Sequence, residues 1–164
     1  MSSEKPEIPN SLNEHWMPFS SNRDFKANPR LITEAKGVYL KNHQGQTQID
    51  ASSGLFCNPL GHGREEIIDA ITKQLKTVDY AQPFQQGFGG SFELATKISK
   101  HTPGNLNRIF YTICGSTAVE TAIKISIAYH RAKGDSKRFR FVGRERAYHG
   151  MNIGGTSVGG MINN

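Results

Sequence analysis

Cys114-Gly115-Ser116-Thr117 stands between an apolar segment, Arg108 to Ile113, and a long helical pattern with apolar residues at Ala118, Val119, Ala122, Ile123, Ile127 and Tyr129. Strand, glycine turn, helix is an anion-binding arrangement, because the first amides of a helix lack carbonyl partners and the helix dipole favours negative charge there. A phosphate meets that description. Thr117 followed by Glu120 reads as a capping box, which makes Thr117 the expected N-cap and leaves Gly115 and Ser116 to line the cradle. One Gly-Ser turn is equally what a plain strand-to-helix connection uses, so the chemistry depends on what lies beside it.

The neighbour in sequence is Lys137 to Val142, a second expected strand with Phe139 and Phe141 on one face. Strand, helix, strand at this distance predicts a right-handed parallel crossover. Ligands of such sheets bind outside the carboxyl ends of the strands, where both Gly115-Ser116 and the Arg144-to-Gly150 loop fall. Tyr148 and His149 are therefore expected at the same mouth as the phosphate cradle, and an aromatic beside a phosphate points to a flat phosphorylated ligand. Neither the Walker pattern nor Gly-x-Gly-x-x-Gly occurs, which weakens a nucleotide. A pyridoxal 5'-phosphate site needs a phosphate cup, a ring-stacking aromatic, an acid on the pyridine nitrogen and a lysine, and candidates for the first two are present.

Bulk properties narrow the class. The 164 residues carry a formal charge of +6, but the twenty Lys and Arg are scattered, and the stretch Lys133 to Arg146 is interrupted by Gly134, Asp135, Phe139, Phe141 and Glu145. With no zinc-finger spacing or RNA-binding aromatic motif, no nucleic acid partner is expected. Cys57 and Cys114 are isolated, without metal-ligand spacing, and read as reduced thiols; no metal is expected. No apolar run is long enough to cross a bilayer, so the expectation is a soluble, cytoplasmic protein without membrane contact. The Gly-rich tail from Gly150 to Asn164 has no helical period and follows the second strand of the crossover, which reads as a fragment of a larger sheet protein.

The remaining elements have to position these residues. Residues 1–11 read as a loose polar arm. The aromatics His15, Trp16, Phe19 and Phe25 lie on an irregular segment and are expected to bury against the chain's own core or a partner subunit. Leu31 to Asp50 predicts a small antiparallel meander with turns at Lys36-Gly37 and Asn42 to Gly45. Ala51 to Gly63 is a loop whose Leu55 and Phe56 either form a pocket wall or plug the core. Helices are expected over Arg64 to Leu75, with Ile67, Ile68, Ile71 and Leu75 on one face, and over Ser91 to Lys100, with Phe92, Ala95 and Ile98 inward. A Gly- and Gln-rich loop between them holds Tyr80, Phe84 and Phe88, and the long helix closes at Gly134.

Taken together, Phe110-Tyr111-Thr112-Ile113-Cys114-Gly115-Ser116-Thr117-Ala118-Val119-Glu120-Thr121-Ala122-Ile123-Lys124 and Gly143-Arg144-Glu145-Arg146-Ala147-Tyr148-His149-Gly150 resemble the class III pyridoxal-phosphate aminotransferases. The opening His15-Trp16-Met17-Pro18-Phe19 and the loop Ser53-Gly54-Leu55-Phe56 are similar to the omega-amino acid:pyruvate branch, which includes β-alanine:pyruvate transaminase. The resemblance implies the amino-terminal portion of the fold type I α/β architecture: a small antiparallel meander and the start of a mixed, mainly parallel sheet. It implies residues 12–63 as part of a small domain and 64–164 as the start of the cofactor-binding large domain. It assigns Gly115 and Ser116 to the cofactor phosphate and Tyr148 to the pyridine ring, with His149 beside it. Phe19, Leu55 and Phe56 would line the substrate pocket, and Phe84 would reach into the neighbouring subunit's site of a homodimer. His62 matches a Gly-His of the family and reads as structural.

The implied reaction moves an amino group from an omega-amino acid or amine to a pyruvate-type keto acid. Its Schiff-base lysine, ring-nitrogen acid and carboxylate-binding arginine lie downstream in the family, so no catalytic residue is assigned within these 164. Lys73, Lys97, Lys124 and Lys133 belong to the fold. Two positions depart from the pattern: Thr117 stands where the family usually has an acid, and Phe56 where this branch usually has Trp, which enlarges the pocket somewhat. Two other readings stay open, a non-catalytic truncated chain and a related class III enzyme such as a 4-aminobutyrate transaminase or an aminomutase.

Overall fold

The computed structural model describes residues 8–162. The first seven positions of the expected arm lie outside the described residues. Alternating polar and apolar residues with turn signals give the expected meander: β1 (Ile32–Lys36), β2 (Tyr39–Asn42) and β3 (Thr47–Ile49) form one antiparallel sheet in that order. Lys36 faces Tyr39 and Lys41 faces Thr47, with an irregularity between Ile32 and Glu34. The second turn is held by Asn42, whose side-chain oxygen accepts from the amides of Gln44 and Gln46 at 3.0 and 2.9 Å. At the first turn Gly37 forms an antiparallel bridge with His62, each amide donating to the other's carbonyl at 2.8 Å.

By internal contacts the chain divides into two compact units, one reaching to Gln82 and one starting at Pro83. The first holds the meander, a short helix α1 (Asn22–Ala27), an irregular turn α2 (Ser53–Phe56) and the helix α3 (Glu65–Thr77). The acids Glu65 and Glu66 in the first turn of α3 complement its dipole. The second holds α4 (Gly89–Ser99), the long α5 (Gly115–Ala132) and α6 (Ile153–Val158). Helix α5 ends where Gly134 takes a left-handed φ of 81°. The hydroxyl of Tyr111 donates to Ser91 O at 2.9 Å and ties the segment before α5 to α4.

Three expectations change. The segments 108–113 and 137–142 form no strand, so the parallel crossover has its helix without a ladder; strand pairing needs a neighbouring backbone, and no described residue supplies one. The tail is not uniformly irregular, since 153–158 is helical. Finally, the apolar faces expected to point inward are uncovered. Among the described residues no hydrophobic side chain is buried, and Ile67, Ile71 and Leu75 of α3 and Phe92 of α4 are all exposed. Amphipathic stripes of this size form because something covers them, and the covering element is not among these residues. No helix among the described residues is long and apolar enough to cross a membrane.

Candidate functional site

In the second unit the site is built on the first turn of α5. Its N-cap is Cys114, not Thr117, in extended backbone. The first backbone bond of the helix is donated by Ala118 to Cys114 O at 3.0 Å, so the amides of Gly115, Ser116 and Thr117 precede it. The expected capping box does not form: the Thr117 hydroxyl turns to Cys114 Sγ at 3.3 Å, and the Glu120 carboxylate bonds Gly154 N outside α5. A Cβ at Gly115 would meet nothing within 4 Å, so the space before the first amide is open. The helix end is electropositive. Hydrogen bonds from the Thr117 hydroxyl, then from the Thr117 and Ser116 amides, hold the Cys114 thiol below its ordinary range.

The segment after residue 142 folds back on this helix start. Arg146 and Gly160 close it, Arg146 N donating to Gly160 O at 3.0 Å and Gly160 N to Ala147 O at 2.9 Å. Met151 N donates to Ser116 Oγ at 3.0 Å. Gly150 lies so close that a Cβ there would stand 2.7 Å from Ser116 Cα, and its φ of +96° is a glycine conformation. Glu120 accepts from Gly154 N at 2.6 Å and supplies the cap that α6 lacks locally, since Asn152 offers no side-chain bond. Gly150 and Gly155 are buried, while the Tyr148 ring remains 53% exposed beside them. Because Ser116 Oγ already accepts from Met151, its hydroxyl proton is the part left to donate. Open amides at the start of a long helix, a hydroxyl donor and a half-exposed phenol carried by the adjoining loop fit a phosphate group with an aromatic ring attached.

The first unit holds the other candidates. Asp50 follows β3, and its carboxylate accepts from Gly54 N through both oxygens, at 3.0 and 2.8 Å, and from Ser52 N and Oγ at 3.2 Å each. His62 Nε2 lies 2.9 Å from Asp50 Oδ2, and Asn58 Nδ2 lies 2.8 Å from His62 Nδ1. Since the Asn58 nitrogen is a donor, Nδ1 accepts, and Nε2 carries the proton toward Asp50. Gly54, first, and His62 pull the Asp50 carboxyl down to about 2. The loop between them runs through Ser53, Gly54, Leu55 and Phe56, all with φ between 53° and 67°. Each non-glycine residue there costs on the order of 1–2 kcal/mol. Leu55 and Phe56 stand 72% and 84% exposed at its tip.

Of the residues singled out in the sequence, Gly115 and Ser116 therefore meet the loop bearing Tyr148 and His149, and Leu55 and Phe56 share one turn. Phe19 lies ahead of α1, beside a hollow lined by Ser20, Ser21, Asp24, Phe25, Asn28 and Arg30 that includes neither Leu55 nor Phe56. Phe84 is exposed in the segment before α4. Sequence reasoning missed Asp50 and Asn58, and it gave Glu120 a cap on its own helix where the carboxylate instead accepts from Gly154 N. Asp50 carried a signal, because an Asp two residues before a Ser in a loop is an Asx-turn pattern. Among the described residues no group of three or more His, Cys, Asp or Glu is arranged to hold a metal.

The fold is that of an α/β protein whose long helix begins at an open turn with an aromatic loop folded onto it. The chain belongs to the class-III aminotransferases, whose family model matches residues 20–163. It is 48% identical over 153 residues to the omega-amino acid–pyruvate aminotransferase of Pseudomonas putida, covering 93% of this chain and 34% of that protein. To the beta-alanine–pyruvate aminotransferase of Pseudomonas aeruginosa it is 46% identical over 154 residues, covering 94% and 34%. Among solved structures, an (S)-enantioselective omega-transaminase from Thermomicrobium roseum superposes with a TM-score of 0.86 at 30% identity, over 90% of this chain and 33% of that one. The chain thus spans about a third of the length of the relatives it matches.

Proposed function

We propose that this chain is the amino-terminal part of a pyridoxal 5'-phosphate-dependent omega-transaminase, moving an amino group from an omega-amino acid such as β-alanine, or an amine, to a pyruvate-type keto acid. The observation that carries the reading is the packing of the Tyr148-to-Met151 loop on Ser116, with the 3.0 Å bond from Met151 N to Ser116 Oγ. The names of the relatives support the donor and acceptor class. In this reading residues 12–63 belong to a small domain and 64–164 begin the large one.

When bound, the cofactor supplies an electron sink for the carbon that loses its proton. The residues of this chain bind and orient it. Gly115 and Ser116 donate their amides, and Ser116 its hydroxyl, to the phosphate; Tyr148 stacks on the ring, and His149 flanks it. Leu55 and Phe56 form an apolar wall that selects the donor; Phe19, on a separate segment, is given to the same pocket by the family resemblance alone, and Phe84 completes the site of a second subunit in a homodimer. The reading extends to a cytoplasmic enzyme, supported by the lack of any membrane-crossing helix among the described residues, with no nucleic acid partner, supported by the scattered cations.

The test is an assay of the intact enzyme carrying this sequence, loaded with cofactor, given β-alanine and pyruvate and scored for alanine. Alanine formation supports the reading. Transfer confined to 4-aminobutyrate and 2-oxoglutarate, or migration of the amino group within one molecule, would assign the chain to another class III reaction. Phe56→Ala should shift preference toward bulky amines with little change in cofactor affinity.

One observation favours a second reading of the 164 residues taken alone. With no hydrophobic side chain buried among the described residues, the chain by itself reads as a truncated, non-catalytic product that at best binds phosphate weakly. Visible absorbance bleached by borohydride in the isolated chain would contradict this.

A further inference from the structure

The turn Ser53–Phe56 combines two features that do not persist unaided in water. Its four residues are all left-handed, and its two largest side chains, Leu55 and Phe56, point away from cover. Something must over-determine such a loop. The structure supplies one candidate. The Asp50 side chain is 7% exposed and the His62 side chain 23%, whereas the turn they flank is open. Both are fixed from behind by the meander: Asp50 N donates to Val38 O at 2.8 Å, and His62 is bridged to Gly37 through its own amide and carbonyl. Their side chains meet and close the loop at 2.9 Å. Asn58, further along the same loop, ties to the other ring nitrogen of His62, while its amide donates to Ser53 O at 2.8 Å. The loop is thus gripped at Gly54 by the Asp50 carboxylate and at Ser53 by Asn58, and both holds converge on one imidazole.

We propose that Asp50, His62 and Asn58 are positioning residues that fix the Leu55-Phe56 wall and thereby set donor specificity without touching the donor. The inference rests on the pocket role given to Phe56 above. It assigns His62 a task that an ordinary packed histidine lacks: its ring joins Asp50 through Nε2 and Asn58 through Nδ1, so one side chain ties both holds on the turn together. A side chain with one donor and one acceptor in similar places does the same work, which makes Gln the conservative replacement and Ala the disruptive one.

The experiment compares the cofactor-loaded intact enzyme with His62→Ala, His62→Gln and Phe56→Ala, by amide hydrogen exchange and by KM and kcat for a small and a bulky amino donor. In His62→Ala, exchange at Gly54 and Phe56 should quicken by about tenfold or more while the ladder amides of β2 keep their protection. The ratio of KM values for the two donors should move as it does in Phe56→Ala, with kcat for the small donor little changed, and His62→Gln should restore both readouts. If His62→Ala fails to fold, Asn58→Ala removes only the bond to Nδ1 and is read the same way. Unchanged exchange in the turn overturns the positioning role. So does a quickened turn with an unmoved KM ratio when Phe56→Ala moves it. An unmoved ratio in Phe56→Ala itself removes the pocket assignment, and the specificity role falls with it even where the turn has loosened.

Discussion

Gly150 and Ser116 touch through their main chains: a methyl group added at Gly150 would lie 2.7 Å from Ser116 Cα and 2.8 Å from Ser116 Oγ. This approach brings the loop of Tyr148 to the first turn of α5, and the bond from Met151 N to Ser116 Oγ holds it there. Thirty-four positions separate the two glycine-adjacent turns in sequence, and the long helix between them makes the return possible.

Gly150→Ala should separate the loop from the helix. Overpacking costs about 1–3 kcal/mol, and a left-handed φ adds roughly 1 kcal/mol for a residue with a Cβ. Cofactor affinity in the intact enzyme should fall by about tenfold or more, since 1.4 kcal/mol is a factor of ten. Fluorescence titration with pyridoxal 5'-phosphate measures it, and wild-type affinity would show that the contact is dispensable.

Glu120 gives its carboxylate to α6 instead of its own helix, accepting from Gly154 N at 2.6 Å. A hydrogen bond to a charged group contributes about 1.5–3 kcal/mol, and partial exposure puts this one at the lower end. Glu120→Ala should therefore quicken exchange of the Gly154 amide by about tenfold, with Glu120→Gln intermediate because it keeps an acceptor and loses the charge. Equal exchange in all three proteins would leave α6 without the cap assigned to it.

The Thr117 hydroxyl, then the Thr117 and Ser116 amides, hold the Cys114 thiol below its ordinary value, and the Ser116 amide is one of the two proposed for the phosphate. Cys114 is exposed, so the effect can be read by alkylation. In the enzyme freed of cofactor, iodoacetamide should label Cys114 faster at neutral pH than it labels a small-peptide cysteine. Inorganic phosphate should slow that labelling. Indifference to phosphate would argue that the anion binds elsewhere.

Asp50 makes the loop of the first unit pH-sensitive at the acid end. Its carboxyl falls from an ordinary 3.8 to about 2, chiefly through the Gly54 amide and then His62. A folded-state value below the unfolded one contributes stability that is fully present above about 3.8 and is lost as pH falls through about 2. The amide shift of Gly54, followed by NMR during acidification, should titrate near the lower value. A midpoint at or above the ordinary one would mean that the bonds from Gly54 and His62 do not favour the charged form.

Periodicity made the meander and the helices α3, α4 and α5 legible in the sequence, because each is specified by its own residues. What depended on distant partners was not. Helix α6 is Gly-rich, and its cap comes from Glu120 on another helix. The start of α5 was placed at Thr117, but the Thr117 hydroxyl bonds Cys114 and the helix begins at Gly115. Segments 108–113 and 137–142 have strand composition without strand neighbours, and composition cannot reveal that. In the candidate site, the Gly115-Ser116 turn was legible as a helix start, whereas the nearness of the Tyr148 loop was argued from a parallel crossover whose strands do not pair among the described residues. The left-handed run Ser53–Phe56 has only Gly54 as a local signal, and the meeting of Asp50 with His62 depends on the bridge to Gly37.

The central claim is that one ligand is held jointly by the first turn of α5 and by Tyr148. A crystal structure of the intact enzyme with pyridoxal 5'-phosphate tests it most directly. Phosphate oxygens about 3 Å from the Gly115 and Ser116 amides, with the Tyr148 ring stacked on the pyridine, are the expected result. A phosphate bound away from Ser116, or a Tyr148 ring with no contact to the cofactor, would contradict it.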